Sequence, residues 1–327
     1  MRNFASWLAA WQRRHGRHDL PWQGTRDPYR IWLAEVMLQQ TQVETVIPYY
    51  QRFLARFPDV SSLAAATGDE VLRLWSGLGY YARGRNLLAA ARAIAACGKF
   101  PDTVEGISEL PGVGCSTAAA IAVFAFGRRA AILDGNVRRV LARRFGVQGE
   151  AAQWALAERL LPRRGVRAYT QALMDLGATV CTRSNPACGR CPVARACIAR
   201  REGRIAELPA PRPRKPLPLR RATWFVYVRA GEVLLERRPG AGLWGGLWTF
   251  PETRLYDVPK PRKLAPLEHG FSHFRLRAQP LLCAVRDAGP RAEAPGRMWL
   301  DVADAAAAAV PAPVRTVLRS LLAARAE

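Results

Sequence analysis

Four cysteines crowd into residues 181–197, spaced Cys181-x6-Cys188-x2-Cys191-x5-Cys197. Thiolates are soft ligands, and four on so short a stretch can close around one compact [4Fe-4S] cluster. Structural zinc is the alternative. Such sites usually pair their ligands as two C-x2-C-like knuckles, and only Cys188 and Cys191 have that spacing. Pro192 follows Cys191, as proline often follows a cluster ligand. Cys97, Cys115 and Cys283 are scattered, which fits a compartment where thiols bind metal rather than pair as disulfides. Arg183, Arg190 and Arg195 lie among the four ligands. A cluster-pinned loop would hold them rigidly against phosphates; without it they are ordinary solvated charges.

A second motif is Leu110-Pro111-Gly112-Val113-Gly114, followed by Cys115, Ser116 and an alanine-rich stretch. Two glycines two apart let backbone N–H groups turn toward an anion without Cβ interference. The helix beginning there adds the positive end of its dipole. This describes a phosphate-gripping hairpin; the plainer reading is a loop before a core helix. A third constellation is a pair of acids. Asp134, in ILDGNVRRVL, is a helix N-cap or a buried carboxylate, and Glu35, in WLAEVMLQQTQ, has apolar neighbours on both sides. On a solvated face Glu35 does nothing unusual. Buried beside a groove, its pKa rises and it becomes a proton donor at neutral pH.

These residues must be held by something, and from Trp7 to Arg200 the pattern is helical almost throughout. Asp27 and Pro28 stand as cap and first residue of one helix, with further helices near 43–56, 69–75, 83–96, 115–126, 135–145, 151–161 and 166–179. Residues 209–221 hold five prolines and five basic residues, a semi-rigid linker between residues 1–208 and 222–327. A chain ending near Leu208 is therefore expected to fold alone. Beyond the linker, 222–229, 232–238, 271–277 and 281–285 predict strands, and 311–324 a helix: an α+β domain.

The net charge of +23 points to a polyanionic partner, although Arg outnumbers Lys so heavily that residue usage alone could supply much of it. No apolar run is long enough to span a membrane, and the N-terminus lacks a signal-peptide core, so a cytoplasmic, nucleoid-associated bacterial protein, likewise a monomer, is expected.

Together the motifs resemble the helix-hairpin-helix glycosylases of base excision repair, the superfamily containing endonuclease III, over most of residues 18–200. LPWQGTRDPYRIWLAEVMLQQTQVETVIPYY and WSGLGYYARGRNL are similar to the MutY branch of that superfamily, as is the cysteine spacing. The resemblance implies a mainly α, two-lobed domain with a [4Fe-4S] loop, followed by an α+β Nudix-like domain. It implies removal of adenine opposite 8-oxoguanine or guanine in double-stranded DNA. Glu35 would protonate adenine, Asp134 would stabilise the sugar cation, and Asn136 would orient that site. Gln40 and Tyr80 would probe the opposite base and wedge the stack. Trp22 would line the adenine pocket, unless it is a core residue. Gly112, Gly114 and Ser116 would lie against DNA. Relatives that also nick the strand carry lysine where this hairpin has Ser116, and Lys99 is the sole lysine before the linker, outside every motif. Monofunctional chemistry is expected.

In the second domain VLLERRPGAGLWGGLWTFPE resembles the start of a Nudix fold, but TRLYDVPKPRKL lacks the R-E-x-x-E-E pattern that holds Mg²⁺. Binding without hydrolysis is expected, with Phe271, Ser272 and His273 resembling the segment that reads 8-oxoguanine. The alternatives are a glycosylase for another mispair, a non-catalytic mismatch-binding protein, or a nucleotide hydrolase.

Overall fold

The helices begin where the sequence supplies caps. In the computed structural model, which describes residues 3–211, 216–240, 242–285 and 295–326, they run α1 (Asn3–His15), α2 (Pro28–Leu38), α3 (Val43–Arg56), α4 (Val60–Ala64), α5 (Gly68–Trp75), α6 (Ala82–Cys97), α7 (Val104–Ser108), α8 (Cys115–Phe126), α9 (Gly135–Phe145), α10 (Glu150–Leu160), α11 (Val166–Asp175) and α12 (Ile198–Arg201). Asp27 accepts from the Tyr29 amide ahead of α2, and Thr67 and Glu70 cap each other's backbone at α5. Gly127 and Gly146 close α8 and α9 in the left-handed conformation. The centre of the predicted linker, residues 212–215, lies outside the described residues.

The chain divides into two compact units: Met1–Ala64 with Ala89–Pro213, and Ala65–Leu88 with Arg214–Glu327. In the first unit, α1, α8, α9, α10 and α11 share a core of Leu8, Trp11, Ile132, Leu141, Leu156, Tyr169 and Leu176. The amphipathic α1 is thus anchored, with Phe4, Leu8 and Trp11 buried and Trp7 exposed. The helix predicted over 166–179 changes geometry part-way. After Asp175 it widens into one π turn, Leu176–Val180, and the Cys181 amide bonds Leu176 O at 2.7 Å. Gly177 lies in that turn because α9 passes too close for a side chain. A Cβ there would meet Asn136 Cβ at 2.5 Å. Gly177→Ala should therefore lower the thermal midpoint by about 3–8 °C, read from a melting curve.

The second unit holds β1 (Leu219–Arg229), β2 (Glu232–Arg237), β3 (Trp248–Thr249), β4 (Arg262–Lys263), β5 (Leu267–Gly270), β6 (Arg275–Ala284), β7 (Arg297–Asp301), α13 (Val302–Ala307) and α14 (Ala312–Ala326). The sheet order is β3-β2-β1-β6-β4, with β5 on β6 and β7 on β2. β1 and β6 are parallel, Leu219 opposite Arg275 through Val228 opposite Ala284. Alternation along β1 buries Trp224 and Val226 in one core and Tyr227 in another, so both faces are covered.

Two sequence expectations change here. One strand, β6, replaces the strands predicted over 271–277 and 281–285; Pro280 sits inside it while its carbonyl still accepts from Leu264 N at 3.0 Å. Residues 271–274 instead form the turn between β5 and β6. And residues 65–88, assigned to the first domain by the linear reading, pack with the second unit: Leu72 of α5 is 2% exposed within the core of Trp224, Leu235, Phe250 and Val314. A chain cut near Leu208 would uncover Leu72.

Candidate functional site

Glu35 projects from α2, a helix otherwise clothed in buried Ile31, Trp32, Leu33, Val36 and Met37. It opens onto a cavity of about 560 Å³ that Trp22, Leu20, Gln23, Thr25, Arg26, Phe124, Gln171 and Met174 also line. Burial pushes its carboxyl up to about 8, and the negative charge of Asp134 adds to the rise. Trp22 packs edge-on against Tyr50, ring centroids 5.4 Å apart, so it is both wall and packing residue.

Asp134 caps α9 by accepting from the Val137 amide at 2.7 Å. Burial raises its pKa too. The Val137 and Asn136 amides and the Arg139 and Arg138 guanidiniums oppose that rise without cancelling it. The two carboxyls thus differ in what acts on them: burial and a like charge at Glu35, burial opposed by amides and guanidiniums at Asp134. Asn136 accepts from Arg139 Nη2 at 2.7 Å, and the same guanidinium donates to Gly177 O and Cys181 O.

The glycine hairpin meets the acids from the other side. Ser116 Oγ accepts from the Leu133 amide at 3.0 Å, one residue before Asp134. Gly112 (φ 78°) and Gly114 are exposed, the second as N-cap of α8. Gln39, which sequence reasoning passed over, donates to Gly112 O and Thr117 Oγ1 and ties α2 to this hairpin. Its neighbour Gln40 is exposed in the left-handed region at φ 56°.

Cys181, Cys188, Cys191 and Cys197 line one small cavity with Arg143, Val180, Pro186 and Ile205. Burial pushes the Cys191 thiol up to about 11 and raises Cys181. Arg143, 5% exposed, donates to Cys181 Sγ at 3.6 Å and to Thr182 O, Arg183 O and Leu208 O. Arg139 and Arg143, four apart in α9, are the other omission; their i, i+4 spacing beside buried Val140 and Leu141 was the available signal. Arg183, Arg190 and Arg195 are exposed.

The remaining predicted residues lie in the second unit. Tyr80 is 46% exposed at φ 47°. At the β5–β6 turn, Phe271 stacks on Phe274, centroids 4.4 Å apart, and packs on Trp244 and His269. This leaves Ser272 and His273 exposed, Oγ to Nδ1 at 3.3 Å. The segment after β3, residues 251–261, forms no helix on which a hydrolytic acid cluster could stand.

Residues 33–162 match the HhH-GPD superfamily of base excision DNA repair proteins, and residues 223–320 match the NUDIX domain. The fold and the paired carboxyls thus define a helix-hairpin-helix DNA repair glycosylase with a Nudix-like C-terminal domain. Adenine DNA glycosylase of Buchnera aphidicola subsp. Baizongia pistaciae is 32% identical over 97% of this chain and 96% of its own. Adenine DNA glycosylase of Rattus norvegicus is 34% identical over 97% of this chain and 77% of its own. This chain belongs to the adenine DNA glycosylase family. Among solved structures, a thermostable thymine-DNA glycosylase superposes with a TM-score of 0.58 at 30% identity, covering 62% of this chain and 96% of that one.

Proposed function

We propose that the protein hydrolyses the N-glycosidic bond of adenine mispaired with 8-oxoguanine or guanine in duplex DNA, leaving an abasic site without nicking the strand. The observation that carries this is Glu35 at the Trp22 cavity, within electrostatic reach of a buried Asp134 that caps the next helix. The target adenine must leave the stack, at a cost of a few kcal/mol. In the cavity, Glu35 donates its proton to a ring nitrogen of adenine and turns a poor leaving group into a neutral one. As the bond breaks, positive charge grows on the sugar beside the Asp134 carboxylate. Asn136 orients that carboxylate's helix start, and Glu35, now ionised, takes a proton from the water that completes hydrolysis. Trp22 walls the base. Gly112, Gly114 and Ser116 belong to the hairpin that holds phosphates. Gln40 and Tyr80 act on the opposite base and the stack.

The discriminating experiment is single-turnover release of adenine from A·8-oxoguanine, A·G and A·T duplexes, with and without alkali. Breaks appearing only after alkali support monofunctional hydrolysis; binding without breaks would make the chain a silent mismatch binder. 8-Oxoguanine differs from guanine by a carbonyl at C8 and a proton at N7, and Ser272 and His273 both offer donors and acceptors. In the same panel, Ser272→Ala with His273→Ala should shrink the preference for 8-oxoguanine over guanine by about tenfold or more.

The four thiols suit a [4Fe-4S] cluster. All four thiols line one small cavity, which supports this reading; among the described residues they are not drawn together as a ligand set. Cys181, Cys188, Cys191 and Cys197 would hold such a cluster, and residues 181–197, with Arg183, Arg190 and Arg195, would be fixed through them. Purified protein should be brown, with broad visible absorption that weakens on reduction. Cys191→Ala should lose that absorption and much of its DNA affinity. One zinc per chain with no iron or sulfide would overturn the assignment.

A further inference from the structure

The turn that follows α5 is unusually demanding. Gly77, Gly79 and Tyr80 take φ of 108°, 73° and 47°, three positive values in four residues, and the third is on a bulky side chain. Such backbone persists only where its surroundings over-determine it. Part of the restraint is local. Trp75 Nε1 donates to Gly79 O at 3.1 Å, and Arg83 donates to Leu78 O and Gly79 O while lying over the rings of Trp75 and Tyr80.

The rest comes from more than two hundred residues later. Ser76, 7% exposed, donates to Val310 O at 2.6 Å. Arg315 of α14 donates to Ser76 Oγ at 2.9 Å, and to Ala306 O and Ala308 O. One guanidinium thus clamps the α13–α14 connection and the residue that ends α5. We infer that Ser76 and Arg315 are positioning residues: the C-terminal helix fixes, through the Ser76 hydroxyl, the turn that presents Tyr80. The C-terminal segment then serves the unstacking of DNA as well as the reading of the opposite base. This rests on the proposed action of Tyr80 on the base stack.

The test uses the full-length, cluster-containing protein and two adenine substrates: a well-stacked A·8-oxoguanine duplex, and the same sequence with the adenine in a small unpaired bubble. Unstacking costs least where the base is already unpaired, so a lost wedge matters little there. Ser76→Ala should slow single-turnover release from the stacked duplex about tenfold, since it removes the hydroxyl that joins Val310 O and Arg315. On the bubble the deficit should shrink to within about twofold. Arg315→Gln, which keeps one donor, should do the same, guarding against α14 failing to dock in a harsher variant. Adding Tyr80→Ala to Ser76→Ala should slow the enzyme no further than Tyr80→Ala alone, because residues acting as one unit are not additive. Equal losses on both substrates, or additive losses with Tyr80→Ala, would show mere destabilisation and overturn the inference. If Tyr80→Ala slows the stacked duplex while Ser76→Ala and Arg315→Gln do not, the clamp fails and the wedge stands. If Tyr80→Ala has no effect either, the wedge itself is wrong and the clamp falls with it.

Discussion

Glu35→Gln binds the mispaired duplex as well as the parent and releases adenine about 10²–10⁴-fold more slowly. Glutamine keeps the shape of the side chain at the cavity and removes its titratable proton. The parent's rate should hold up to about pH 8 and decline above it, since burial keeps the carboxyl protonated to that point and a general acid works only while it holds its proton. The same burial predicts a stability change of opposite benefit. Folded Glu35 retains a proton that the unfolded carboxyl has lost above its ordinary value of 4.5, so the side chain costs stability progressively as pH rises from about 4.5 towards about 8. Glu35→Gln avoids that cost, which is about 1.4 kcal/mol for each unit by which the pKa is raised. Its thermal midpoint should exceed the parent's, by more at pH 8 than at pH 5. Release within about tenfold of the parent, or a midpoint gap indifferent to pH, would remove Glu35 from the acid's role.

Asp134→Asn is the complementary change and the cleaner one. Asparagine caps a helix about as well as aspartate, so the bond from the Val137 amide survives and the melting temperature should move by only a degree or two, about half a kcal/mol. What disappears is the charge. If that charge stabilises the sugar cation, single-turnover release should fall about 10²–10³-fold with DNA affinity preserved. A variant that melts normally and cuts normally would return Asp134 to the plain capping role that its sequence position also allows.

The sequence made the helices legible because their ends carry local chemistry: Asp27 and Pro28 before α2, Gly127 after α8, Asp134 before α9. The candidate acids were found by their motifs, and the shared surroundings of Glu35 and Asp134 depend on folding across about a hundred residues of chain. Gln39 gave no local signal, and Arg139 and Arg143 gave only their i, i+4 spacing, since a polar residue on a helix is usually solvated and only tertiary contact turns it inward. Phe271 to His273 were picked out as a group and placed on a strand. In the structure they form a turn in which Phe271 stacks on Phe274. The largest surprise was residues 65–88. Their helical pattern says that α5 buries a stripe, and nothing local says against what.

That last arrangement has a consequence for how the protein is made. Residues 65–88 leave the ribosome well before residues 214–327, with which they share a core. At about 5–20 residues per second, Leu72 waits several seconds or longer for Trp224 and Phe250 to emerge. Meanwhile residues 89–213, with Cys181, Cys188, Cys191 and Cys197 among them, are synthesised and can begin to fold. A nascent chain therefore passes through a stage in which its thiols are assembled but α5 still lies bare. Translation pauses or truncating lesions late in the message would strand that intermediate with an uncovered apolar stripe, and aggregation or proteolysis near residues 65–88 would be its signature.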